Sequence, residues 1–132
     1  MRSMASKNEQ PFISWSRLKK SFVYASNGVV NTWKNEQNFR IHLFLTAVVI
    51  IAAQLLKISF IEQAVLAVVI GGVLALELIN TAIERTVDLT VQTYDERAKT
   101  IKDTAAGAVF VFSVAAAIVG MLIFLPRILA LF

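Results

Sequence analysis

Glu77-Leu78-Ile79-Asn80-Thr81-Ala82-Ile83-Glu84-Arg85-Thr86-Val87-Asp88 follows the apolar run from Ala64 to Leu76 directly, with no turn residue between them. One helix is therefore expected to carry both. At about 100° per residue, Glu77, Asn80, Glu84 and Asp88 fall within a stripe roughly 80° wide. Three carboxylates and an amide thus look the same way from the end of a helix that is apolar before them. An ionisable group at membrane depth costs about 2.5–3.5 kcal/mol on insertion scales, so such groups face a bundle interior and mark function. A helix simply leaving the bilayer accounts for Asp88. It does not account for Glu77, which Leu74, Ala75, Leu76, Leu78 and Ile79 surround.

The rest of the chain supplies the membrane. Its 132 residues are 57% hydrophobic and 17% charged, with a mean hydropathy of +0.66. That balance is too apolar for a soluble domain of this length and points to a single polytopic membrane domain over residues 1–132. With no cysteine, thiol and disulfide chemistry are excluded. The net charge of +4 does not indicate nucleic acid, because the basic residues flank apolar segments and suit anionic headgroups instead. No secretory signal is expected, since the first forty residues contain no continuous apolar core.

Residues 1–11 are polar and are expected to be a disordered tail. From 12 to 35, Trp15, Leu18, Phe22, Ala25, Val29 and Trp33 recur at three- and four-residue steps, with Arg17, Lys20 and Lys34 away from that stripe. This pattern predicts an amphipathic surface helix at a membrane interface. Asn35 to Arg40 is predicted as a polar turn. Membrane segments are expected at 41–56, 60–83 and 104–125, with Lys57-Ile58-Ser59 as a minimal hairpin and 84–103 as a polar connection, helical through much of its length. Glu62 and Gln63 are expected near water at a membrane edge. Gly71-Gly72 is expected to be a close-packing contact, and Pro126-Arg127 to stop the last span.

Orientation follows from Lys and Arg. Seven precede the first span (Arg2, Lys7, Arg17, Lys19, Lys20, Lys34, Arg40) and four lie in the 84–103 connection, whereas Lys57 and Arg127 alone lie opposite. The N-terminus and the long connection are therefore expected in the cytoplasm, where nucleotides are, and the protein in a bacterial plasma membrane.

Closely spaced carboxylates at such a surface suit Mg²⁺, which takes one or two carboxylates plus phosphate oxygens. Glu84 and Glu36 are the candidate metal ligands, and Asn80 can add an oxygen or orient a phosphate. Glu77, deepest in the apolar layer, suits a general base acting on a lipid hydroxyl. Lys102 can neutralise phosphate charge, and Asp103 can hold position. No P-loop is present, since none of the glycines at 28, 71, 72, 107 and 120 sits in one. His42, the single histidine, stands at a membrane boundary and is expected to be structural rather than the base of a nucleophilic triad. Spacing alone leaves a membrane protein that handles metal and phosphate.

The stretch from Glu77 to Asp88, followed by Ala98-Lys99-Thr100-Ile101-Lys102-Asp103-Thr104-Ala105-Ala106-Gly107-Ala108-Val109, strongly resembles the small bacterial diacylglycerol kinase family. Asn35-Glu36-Gln37-Asn38-Phe39-Arg40-Ile41-His42 also fits, and the resemblance covers roughly residues 15–125. Asn38 to His42 together with Asp103 to Ala108 resembles the Gram-positive branch, whose preferred substrate is undecaprenol. His42 stands where the diacylglycerol-preferring branch carries an acidic residue.

The resemblance implies an all-α membrane protein with three transmembrane helices and an N-terminal amphipathic surface helix, assembled as a homotrimer. It implies an ATP- and Mg²⁺-dependent lipid kinase that makes undecaprenyl phosphate, or alternatively phosphatidate from diacylglycerol. Glu77 matches the general base, and Glu36 and Glu84 match the metal-binding glutamates. Asn80, Glu84, Asp88, Lys102 and Asp103 match active-site or nucleotide-contacting positions. Arg17 and Tyr24 fall where the family contacts the nucleotide. A small channel or transporter subunit is the non-enzymatic alternative. The acids cluster at one face, and the third span has only Thr104 and Ser113 as polar residues, which leans against a conducting path.

Overall fold

The computed structural model describes residues 14–132, all helices and connections with no strand among them. The expected tail and Phe12, the start of the expected surface helix, lie outside the described residues. Four helices follow in order: α1 (Trp15–Asn35), α2 (Gln37–Leu55), α3 (Phe60–Thr90) and α4 (Glu96–Leu129). The last three are long and apolar enough to cross a membrane, as the hydropathy pattern requires.

Ser14 opens α1 by accepting from the backbone N–H of Arg17 at 3.5 Å. The helix lies exposed along its length, and Thr32 near its end is its one buried residue. That is the behaviour of an amphipathic helix that rests on a bilayer rather than on a protein core. The predicted six-residue polar turn contracts to a single residue. Glu36 is extended at φ −107°, ψ 118°, and helix resumes at Gln37. Two contacts make so tight a corner possible. Arg40 donates to the carbonyls of Trp33 at 3.4 Å and Lys34 at 3.0 Å, satisfying groups that the end of α1 leaves unpaired. Phe39, 2% exposed, fills the angle beneath.

The α2–α3 hairpin is as short as expected, and Lys57 takes the left-handed conformation at φ 49° that such a turn needs. Ser59 caps α3 through a capping box: its hydroxyl accepts from the Glu62 N–H, while Glu62 accepts from the Ser59 N–H at 2.8 Å. Glu62 stands at the start of α3, partly exposed, and is also ion-paired. Arg127 donates to it through both terminal nitrogens, at 2.8 and 2.6 Å.

That pair overturns the expectation for Pro126. Helix α4 runs through Pro126 and ends at Leu129. Proline removes one N–H, but Arg127 donates to the Ile123 carbonyl at 2.9 Å and is anchored by Glu62, so the last turn persists.

At 31 residues, α3 is about 46 Å long, and α4 is longer still. Both exceed a hydrocarbon core of about 30 Å, so their ends at the Val91–Asp95 connection project beyond it. The segments expected at 60–83 and 104–125 fall inside these two helices. There Asp95 caps α4, accepting from the N–H groups of Arg97 and Ala98. These amides and the Arg97 guanidinium hold its carboxyl below the usual aspartate range. The core at the opposite end gathers Ala53, Ile58, Leu66 and Ile123. Midway, α3 and α4 approach closely because Gly72 has no side chain: the Phe112 ring occupies the space a Cβ would need. Gly71, by contrast, faces open space.

Candidate active site

The polar stripe of α3 runs from buried to exposed. Glu77 is 4% and Asn80 8% exposed, Glu84 is half-buried, and the Asp88 side chain is 63% exposed. Each residue of the stripe has a definite partner. Glu77 Oε1 lies 3.1 Å from His42 Nε2 on α2. Asn80 donates to Glu84 Oε1 at 2.9 Å, one turn along the same helix. Lys102 on α4 donates to Asp88 at 2.9 Å. Arg85, on the flank of the stripe, donates to Glu36 at 3.1 Å and so ties the α1–α2 corner to α3.

Of the expected residues, Asn80 lines the same cleft as Glu77, and the charges of Glu84 and Glu36 bear on Glu77 electrostatically. That cleft, of about 270 Å³, is bounded by α2, α3 and α4, with Asn38, His42, Glu77, Asn80 and Ser113 as its polar lining. Asp88, Lys102 and Asp103 belong to a second, outer cleft of about 280 Å³ at the α3–α4 connection. Within it Asp103 accepts from Lys99 at 2.7 Å. Arg17 and Tyr24 stand apart: both are exposed on α1, and among the described residues no side-chain hydrogen bond or ion pair joins either to the site.

His42 is the residue that sequence reasoning undervalued. Its partner lies 35 positions away on another helix, and nothing in the local pattern links them. The apolar sequence around His42 carries the only available signal, because an imidazole at membrane depth needs a polar partner just as a carboxylate does.

Beyond His42 and Ser113 the cleft passes into an apolar groove of about 310 Å³, walled by residues such as Leu45, Val49, Leu66, Val73 and Phe124. A buried carboxylate thus lines a polar cleft that shares His42 and Ser113 with an apolar groove. A reacting hydroxyl can reach Glu77 while its hydrocarbon stays among apolar side chains.

The model of the prokaryotic diacylglycerol kinase family matches residues 23–124. The chain belongs to that family. It is 46% identical over 112 residues to an undecaprenol kinase of Bacillus subtilis (strain 168), covering 85% of this chain and 91% of the other. It is 51% identical over 112 residues to a diacylglycerol kinase of Synechocystis sp., covering 84% of this chain and 64% of that longer one. A diacylglycerol kinase of Helicobacter pylori (strain J99) is 33% identical over 94 residues, 71% of this chain and 73% of its own. This chain is accordingly a multi-pass membrane lipid kinase, with ATP as its co-substrate.

The donor set fits a hard cation. Asn80 Oδ1 is buried with no hydrogen-bond partner, and the Glu84 carboxylate lies one helical turn along, its Oε1 accepting from the Asn80 amide at 2.9 Å. Among the described residues no three acidic or histidine side chains form a ready cage. Mg²⁺ suits such a site, because it binds through one or two carboxylates and keeps substrate phosphates and water as its other ligands.

Proposed function

We propose that this chain phosphorylates undecaprenol, transferring the γ-phosphoryl group of ATP directly to the lipid hydroxyl at the cytoplasmic face of the plasma membrane. The observation that carries the reading is the position of Glu77, buried in a polar cleft whose His42 and Ser113 also line an apolar groove. Glu77 takes the hydroxyl proton as the alcohol oxygen attacks the γ-phosphorus. The bond from that phosphorus to the bridging oxygen breaks, and the products are lipid phosphate and ADP. His42 holds the Glu77 carboxylate toward the groove. Glu84 and Glu36 would hold Mg²⁺, with Asn80 Oδ1 as a further oxygen, and the ion would neutralise charge on the phosphate oxygens. Arg85 keeps Glu36 turned toward α3 for that task.

Asp88, Lys102 and Asp103 take the nucleotide in the outer cleft, and Arg17 and Tyr24 on α1 complete its binding. The distribution of Lys and Arg supports a cytoplasmic N-terminus and α3–α4 connection. The working unit is a homotrimer, as the family resemblance implies.

One observation supports undecaprenol as acceptor: the undecaprenol kinase relative matches over 91% of its own length. Diacylglycerol, giving phosphatidate, is the second reading, favoured by the 51% identity to the Synechocystis diacylglycerol kinase. The purified protein in mixed micelles, supplied with ATP, Mg²⁺ and either alcohol, distinguishes them. Faster phosphorylation of undecaprenol is expected. Preference for diacylglycerol would overturn the substrate assignment, and phosphorylation of neither would overturn the mechanism.

A further inference from the structure

Ser113 is the one hydroxyl in the middle of an otherwise apolar stretch of α4, and its Oγ is buried with no hydrogen-bond partner. Helical Ser and Thr residues in apolar surroundings ordinarily turn the hydroxyl back to the carbonyl four residues earlier. Thr46, Thr86, Thr100 and Thr104 do so, at 2.8–2.9 Å. Ser113 does not. A buried hydroxyl without a partner is costly, and an unsatisfied one in a native site calls for a ligand.

Its position says which ligand. Ser113 and His42 are the two residues that line both the polar cleft at Glu77 and the apolar groove. His42 is already engaged with Glu77, whereas Ser113 has a donor and two lone pairs to offer. A lipid alcohol whose chain lies in the groove and whose hydroxyl approaches Glu77 must pass this seam.

We propose that Ser113 is a substrate-binding residue of the acceptor site, and that its Oγ hydrogen-bonds the oxygen of the incoming lipid alcohol and aims it at Glu77. The assignment rests on the proposed lipid-kinase mechanism and adds a polar group from α4 beside Glu77 and His42.

The test is steady-state kinetics of the full chain in mixed micelles, with undecaprenol and diacylglycerol as separate probes and wild type beside Ser113→Ala and Ser113→Thr. Loss of one hydrogen bond to substrate should raise the KM for the preferred lipid roughly three- to tenfold in Ser113→Ala. The KM for ATP should stay within about twofold, and Ser113→Thr, which restores the hydroxyl, should recover most of the lipid affinity. A lipid KM unchanged in Ser113→Ala would overturn the assignment. So would equal losses toward lipid and ATP together with a lowered unfolding temperature, since these mark a packing role. If the wild-type chain itself phosphorylates neither alcohol, the proposed function fails, and this assignment falls with it.

Discussion

Asn80 donates to Glu84 Oε1 at 2.9 Å across one turn of α3, and in doing so leaves its own Oδ1 buried and unpartnered. The pair therefore orients a carboxylate and an amide oxygen together, which is what recognition of a hard cation or a phosphate demands. Glu84→Ala removes both the charge and the acceptor, and Glu84→Gln keeps an acceptor for Asn80 but loses the charge. Both variants should raise the Mg²⁺ concentration needed for half-maximal turnover by about tenfold or more, as a magnesium titration at saturating ATP will show. An unchanged requirement would move the metal ligand elsewhere.

At the other end of the bundle, Arg127 and Glu62 form a bidentate pair with both side chains about one-third exposed. The pair joins the α2–α3 hairpin to the last turn of α4 and lies at the opposite end of α3 from the site. Breaking it should destabilise the bundle, by more than loss of an exposed pair and less than loss of a buried one. Thermal unfolding in detergent micelles should show Arg127→Ala and Glu62→Ala to be less stable, with a double variant no worse than the poorer single one. Turnover below the unfolding transition should be preserved. Strictly additive losses would mean that the two residues act separately.

Much of this architecture is legible in the residues. The second and third apolar runs are long enough to span, the first is short for it, and the 3.6-residue period alone places Glu77, Asn80, Glu84 and Asp88 on one face. What the period cannot supply is contact between helices. The His42–Glu77 and Arg85–Glu36 pairs join residues 35 and 49 positions apart, and each depends on how α2 meets α3. The corner at Glu36 and the helical turn through Pro126 were hidden for a related reason. Local propensity favours a longer turn at the first and a stop at the second; at each an arginine side chain donates to nearby backbone carbonyls, those of Trp33 and Lys34 at the corner and that of Ile123 beside Pro126. Ser113 was visible as a polar residue in an apolar span, but its missing partner is a property of the packed helices.

Glu77 carries the central claim, and turnover of Glu77→Gln is its most direct test. The amide keeps the side-chain volume and a hydrogen-bonding group for His42, but it cannot accept the lipid's proton. Phosphorylation of undecaprenol by the purified variant should fall by about 10²–10⁴-fold, while nucleotide binding measured on the same preparation stays within about twofold of wild type. Near-normal turnover in Glu77→Gln would contradict the assignment of Glu77 as the base.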